Sequence, residues 1–154
     1  MNQNTDPGDL WHVLYVSRES YEMEAADMLK LLFDARDHNR RAGITGLLLH
    51  HGHRFIQLLE GPRAEVEPMF SRIAEDPRHT EVTVESDGPL TQRLFADWNM
   101  GFADIPTLHG RSALANVESE AEALDLLRVL GSSDPRARRM LDFLGDGDIA
   151  LRLR

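Results

Sequence analysis

The sequence predicts an α+β fold, a ferredoxin-like split βαβ arrangement in which a mixed five-stranded sheet carries two helices on one face and a C-terminal helical pair on the other. Three observations predict it. Apolar periodicity alternates between about two and about 3.6 residues in the order strand, helix, strand, strand, helix, strand, strand. Glycine and proline punctuate those changes, and two further amphipathic segments follow with no strand between them. Right-handed parallel crossovers put the first two helices on the same side, which leaves the other face of the sheet for the later pair.

The first strand is expected over Leu10–Ser17, with Trp11, Val13, Tyr15 and Ser17 on one face and His12, Leu14 and Val16 on the other. Ser20 is a candidate N-cap for a helix near 21–41, whose inward stripe of Ala25, Met28, Leu32, Ala35 and Asn39 ends on a polar amide. Gly43 can close that helix in a left-handed conformation. Ile44–His51 and Arg54–Gly61 flank Gly52 and read as a hairpin, the second strand burying Phe55, Gln57 and Leu59 together. Pro62 suits the first position of a helix near 63–75 with a Val66, Met69, Phe70, Ile73 stripe, ended by Asp76-Pro77. A strand over Glu81–Glu85 is broken by Gly88-Pro89, and Trp98, Met100 and Phe102 share one face of a short final strand. Beyond Ile105-Pro106, segments near 119–130 (Ala121, Leu124, Leu127) and 135–144 (Ala137, Met140, Leu141, Leu144) repeat at helical spacing, and Asp134-Pro135 starts the second. The pair belongs over Leu14 and Val16. The expected organisation is a flexible 1–9, a core domain over 10–105 and a helical extension over 106–154, with the final Leu151-Arg152-Leu153-Arg154 uninformative.

Composition narrows the function. The 154 residues suffice for one compact domain and no more. A formal charge of -9 disfavours direct nucleic-acid binding. With no cysteine, disulfides, thiolate metal sites, cysteine nucleophiles and cysteinyl photoadducts are excluded. No apolar run approaches the roughly 20 residues of a membrane span, and Met1–Asp9 is unlike a secretory signal, so a cytoplasmic protein with no membrane contact is the expectation.

Tyr15, Asn39 and Gln57 converge on the side of the sheet covered by the first two helices. Taken singly, each has an ordinary explanation: a core tyrosine, a helix-end amide, a polar strand residue. A buried glutamine between Phe55 and Leu59 is the least ordinary, since each amide group left unpaired costs about 1–3 kcal/mol. Together the three suit a planar heterocycle of mixed donors and acceptors, such as the isoalloxazine ring of a flavin. In such a site Asn39 would meet the pyrimidine edge and Gln57 would bridge Tyr15 and a ring nitrogen, the outcome depending on which way its amide points.

Leu14-Tyr15-Val16-Ser17, His38-Asn39 followed by Gly43-Ile44-Thr45-Gly46, Phe55-Ile56-Gln57-Leu58-Leu59-Glu60-Gly61, Asp76-Pro77-Arg78-His79 and Trp98-Asn99-Met100-Gly101-Phe102 occur in order across residues 10–105. This set resembles the BLUF domain, a blue-light sensor using flavin, in the form of a short stand-alone BLUF protein. The resemblance implies that Tyr15 and Gln57 form the photoactive hydrogen-bond set with a non-covalently bound flavin, light driving electron and proton transfer from Tyr15 and a rearrangement of Gln57. It implies FAD, with FMN or riboflavin as alternatives. Asn39 would hold the pyrimidine edge with His38 beside it, and Arg78 and His79 would lie along the ribityl or phosphate part. Leu31, Leu48, Phe55 and Ile73 would supply pocket wall. Trp98 and Met100 match the strand on which BLUF domains place a tryptophan and a methionine proposed to relay the signal; they share strand parity, so both could approach the pocket.

His50, His51 and His53 read as solvated residues of a hairpin tip without an acidic partner, not as a metal site. Arg36, Arg40 and Arg41 read as a solvated helix end that could reach a phosphate. With only about 50 residues after position 105, no enzymatic output domain is expected. The implied output runs through the C-terminal helices to a partner protein or to the chain's own assembly into a homo-oligomer. Two other classes compete: a flavin-dependent redox enzyme, for which no nicotinamide signature exists, and a flavin-free interaction module keeping the same fold.

Overall fold

The computed structural model describes residues 9–104 and 120–146. The flexible 1–9 expected at the N-terminus, apart from Asp9, lies outside those residues. So do the Ile105-Pro106 break, the connection up to residue 119 and the terminal 147–154. The elements are β1 (Leu10–Glu19), α1 (Ala25–Ala42), β2 (Thr45–His51), β3 (Arg54–Pro62), α2 (Arg63–Ala74), β4 (His79–Pro89), β5 (Gly101–Asp104), α3 (Glu120–Gly131) and α4 (Pro135–Asp146). The sheet runs β4-β1-β3-β2-β5. β3 lies antiparallel between β1 and β2, β4 is antiparallel to β1, and β5 is parallel to β2. This is the expected split βαβ order, in which each crossover helix spans an inserted antiparallel strand.

Side-chain alternation along β1 and β3 divides the interior into two layers. Val13, Phe55 and Leu59 join Met28 and Leu32 of α1 and Val66 and Met69 of α2 in one apolar cluster. Leu14, Val16, Ile56 and Leu58 face the other way, in a cluster with Leu127 of α3 and Ala137, Met140, Phe143 and Leu144 of α4. The C-terminal pair thus covers Leu14 and Val16 as expected; of its proposed stripe, the side chains of Ala121 and Leu124 lie outside the described residues. Asp134 starts α4, its carboxylate accepting the Arg136 N–H at 2.8 Å and pairing with the Arg136 guanidinium. Arg139 of α4 reaches Glu85 of β4 at 2.8 Å, and the Arg54 guanidinium of β3 lies 5.1 Å from the centre of the Phe143 ring, so α4 is tied to two strands.

Several local expectations are corrected. α1 begins at Ala25 with Glu24 as N-cap, in a capping box with Asp27, and not at Ser20. The cause is non-local: β1 continues to Glu19, and the Ser20 N–H is bound to Arg78 O at 2.9 Å, which delays the helix by one turn. Its C-terminus is as expected, Gly43 standing at φ 72°. Pro62 ends β3 and occupies the N-cap of α2, one position before the first helical residue. The hairpin loop is Gly52-His53, both at positive φ (60° and 70°), as a type I′ turn requires.

β4 is more than twice the length read from its alternation. It runs through Gly88-Pro89 because β1 offers partners along its whole length, with register shifts absorbed at two places. Pro89 is tolerated since β4 is an edge strand and needs no donor on its outer side. At the other end of the sheet, β5 starts only at Gly101, so Trp98 and Met100 precede the strand and the parity argument that paired them does not apply.

Candidate functional site

A cavity of about 290 Å³ opens between α1, α2 and the sheet, of a size suited to a small organic ligand. Tyr15, His38, Asn39, Gln57, Arg78 and His79, every cofactor-binding residue expected from the sequence, line it. Leu31, Leu48, Phe55 and Ile73 form its apolar wall with Met69 and Ala35.

Sheet register places its polar floor. Tyr15 of β1 lies directly opposite Gln57 of β3, and Leu48 of β2 lies opposite Gln57 on the other side, so the three stand in one row on one face. The Tyr15 hydroxyl donates to Gln57 Oε1 at 2.5 Å. Burial, then the charge of Asp76, pushes the Tyr15 phenol well above its ordinary range, so it stays protonated and must act as the donor. That fixes the amide: with Oε1 on the phenol, Gln57 Nε2 points the other way and donates to Met100 Sδ at 3.3 Å. The Tyr15 ring is held by Phe70 at 5.4 Å and by the His79 ring, edge-on, at 6.0 Å.

On the helix side, Asn39 is 2 % exposed at the end of the α1 stripe, where the spacing put it. Its Nδ2 donates to Asn99 O at 2.8 Å. His38, one residue earlier, lines the cavity from an exposed position, with Nδ1 against Asp34 O at 2.9 Å. His79 has both nitrogens engaged: Nε2 donates to Ile73 O at 2.6 Å, which leaves Nδ1 to accept from Ser17 Oγ at 2.8 Å. Arg78 is folded onto Asp76, with Nη2 to Oδ2 at 2.7 Å, and these bonds hold the Asp76 carboxyl below the usual carboxylate range. Arg78 and His79 both lie at the cavity wall, as expected, His79 with both ring nitrogens and Arg78 with Nε and Nη2 partnered within the protein.

Other wall residues were not singled out. Asp34 stands one turn before His38 on α1 and Arg72 one turn after Met69 on α2, so helical spacing from recognised residues would have found both. Trp98 and Met100 separate. Met100 is 1 % exposed and belongs to the cluster on the cavity face, whereas Trp98 packs on the opposite cluster, stacked on Phe95 at 5.7 Å and 6°. The Trp98 N–H bonds Phe95 O at 3.1 Å, a turn that breaks the alternation assumed for the segment.

Two basic groups also differ from expectation. The hairpin-tip histidines do have an acidic partner: His50 Nε2 lies 2.8 Å and His53 Nδ1 2.5 Å from the buried carboxylate of Glu19, and only His53 is solvated, His50 being largely covered and His51 buried. Arg36 is committed to the sheet edge, donating from Nε to Met100 O at 2.9 Å, while Arg40 and Arg41 pair with Asp37 on their own helix.

A floor of tyrosine and glutamine, an asparagine on the helix above and apolar walls define a site for a planar, hydrogen-bonding ligand. The family described as "BLUF: Sensors of blue-light using FAD" matches residues 10–101, and the chain belongs to it. It is 37% identical over 107 residues to the photoactivated adenylate cyclase subunit beta of Euglena gracilis, a match that takes in 69% of this chain and 12% of that protein. The chain therefore spans a small part of the photoactivated cyclases it resembles. Among solved structures, BlrB, a BLUF protein in its dark state, is 34% identical with a TM-score of 0.64, covering 87% of this chain and 92% of that one. Klebsiella pneumoniae BlrP1, in a calcium and cyclic-di-GMP complex, is 28% identical with a TM-score of 0.72, covering 90% of this chain and 34% of that one. The chain is thus a flavin-based blue-light sensor of the BLUF type. No helix among the described residues is long and apolar enough to cross a membrane.

Proposed function

We propose that Tyr15 and Gln57 are the photoactive pair of this sensor, that the flavin is FAD, and that the signal leaves through α3 and α4. The observation that carries the reading is the chain of bonds from the Tyr15 hydroxyl through the Gln57 amide to Met100 Sδ. A thioether is a weak acceptor, so the buried Gln57 amide N–H has its poorest partner on the side turned to Met100 and gains from a stronger one offered within the cavity. Asn39 complements it: Nδ2 is spent on Asn99 O, and its Oδ1, with no protein donor among the described residues, is free to accept an N–H from a ligand. Both amides fit the edge of a flavin ring.

Bound flavin supplies blue-light absorption and, when excited, an acceptor for one electron. Tyr15 is the donor, because its phenol is neutral, buried and aimed along a short bond; as it gives up an electron its proton passes to Gln57 Oε1. A glutamine amide that has gained a proton on oxygen no longer holds its earlier donor and acceptor ends. Gln57 therefore settles in a new arrangement, by rotation or by tautomer, once the electron and the proton have both returned to Tyr15. Asn39 and the walls keep the ligand in place and exclude water, and Arg72 and Arg78 lie where an anionic tail can be met.

The polar extent of FAD suits the Arg72, Arg78 and His38 rim better than riboflavin does, since riboflavin presents no phosphate to it. Residues 10–105 form the photosensory unit and 106–154 the output extension, which works without catalysis of its own, in the cytoplasm, by engaging a downstream protein or a second copy of the chain. α4 is suited to this because it packs its apolar stripe on the sheet face opposite the cavity and is tied to β3 and β4 by Arg54 on Phe143 and Arg139 to Glu85. Illumination is expected to change amide hydrogen exchange in α3 and α4, and equal protection in light and dark would remove the output route.

A further inference from the structure

Glu60 has no exposed surface and lies on the face of β3 opposite Gln57, three residues further along the strand. A carboxylate so deep persists only where its lone pairs are met. Here Oε1 accepts the Leu94 N–H at 2.9 Å, and Oε2 accepts the Phe95 N–H at 2.7 Å and the Thr45 hydroxyl at 3.2 Å. Arg93 braces the same point by donating to Thr45 Oγ1 at 3.0 Å. Two of these bonds hold the backbone of a segment that is neither helix nor strand, residues 94–100.

That segment crosses the sheet edge. At one end Phe95 belongs to the cluster beneath α3 and α4; at the other Met100 Sδ meets Gln57 on the cavity face. Midway, Trp98 O accepts the Gly46 N–H at 3.0 Å, and a Cβ on Gly46 would crowd the segment's Met100 methyl at 3.3 Å as well as Leu58 O of β3 at 1.9 Å. With its far end free, a displacement at Met100 would be absorbed by the irregular chain. With its far end clamped, the displacement is delivered to Phe95 and the helices above it.

We propose that Glu60 is a positioning residue that clamps residues 94 and 95, holding Met100 in register with Gln57 and coupling rearrangement of that amide to the C-terminal helices. The inference rests on the photoactive reading of Gln57. Because the clamp favours the dark register, loosening it removes a restoring force, so dark recovery slows.

Glu60→Gln keeps one oxygen for one backbone amide and turns an NH2 group against the other. It is tested in the whole flavin-loaded chain, by the light-minus-dark spectrum, the dark-recovery rate and light-dependent hydrogen exchange in α4. Flavin content and the size of the spectral shift should be unchanged, since Glu60 does not line the cavity. Recovery should slow about five-fold or more, as expected for the loss of one buried hydrogen bond, and the exchange difference in α4 should shrink. Thr45→Val leaves both backbone bonds but removes the hydroxyl, and should act in the same direction more weakly; it carries the test if Glu60→Gln does not fold. Recovery and exchange like those of the unaltered protein, in Glu60→Gln or in its place Thr45→Val, would overturn the proposal while leaving the photoactive pair standing. A reversible shift missing from the unaltered protein would instead remove the reading of Gln57, and the clamp's role with it.

Discussion

Tyr15→Phe protein should bind flavin and fold, yet show no reversible light-induced shift. The phenylalanine ring preserves the contacts with Phe70 and His79, so the β1 face and the cavity wall are kept. What disappears is the hydroxyl that donates at 2.5 Å to Gln57 Oε1, and with it the group that supplies the electron and the proton. Stability should fall by about 1–3 kcal/mol, because Gln57 Oε1 is left in the interior without a donor. The spectral response, by contrast, should be lost outright and not merely reduced. Difference spectroscopy under blue light, with thermal unfolding in parallel, separates the two effects; a normal photocycle in this variant would undo the assignment of Tyr15.

Gln57→Leu is the complementary case. Leucine occupies similar volume on the same face as Phe55 and Leu59, so the cavity side of β3 remains apolar and packed. The Tyr15 hydroxyl loses its acceptor, and Met100 Sδ loses the amide it meets at 3.3 Å. Flavin should still bind through Asn39 and the walls, with the normal red-shifted product absent under illumination. Electron transfer from Tyr15 can still quench the flavin's fluorescence, but without the amide nothing stores the outcome. A light-induced red shift of ordinary size in this variant would show that Gln57 is not the switch.

Much of this site was legible because its residues sit on regular elements. Tyr15 and Gln57 follow from alternation along two strands, and Asn39 follows from helical spacing, so the residues fall in register once the strands pair. Trp98 and Met100 were not separable by the same means: strand parity has no meaning in a segment that turns at Phe95 and is seated by bonds from Glu60 and Gly46. Non-local partners were equally hidden. Ser20 has the right chemistry for a cap, but its N–H is bound to the Arg78 carbonyl just past the end of β1, before the helix begins. His50 and His53 look free of an acidic partner until β1 brings Glu19 beneath the hairpin tip. Glu60 shares parity with Ile56 and Leu58, which marks it as buried; nothing local shows that its partners are the amides of residues 94 and 95.

The most direct test is the absorption spectrum of the purified chain supplied with FAD, recorded in darkness, under blue light, and again as darkness returns. The account predicts a bound flavin whose bands move slightly to longer wavelength in the light and return fully in the dark. A protein that takes up no flavin, or one whose flavin only bleaches irreversibly, would contradict it.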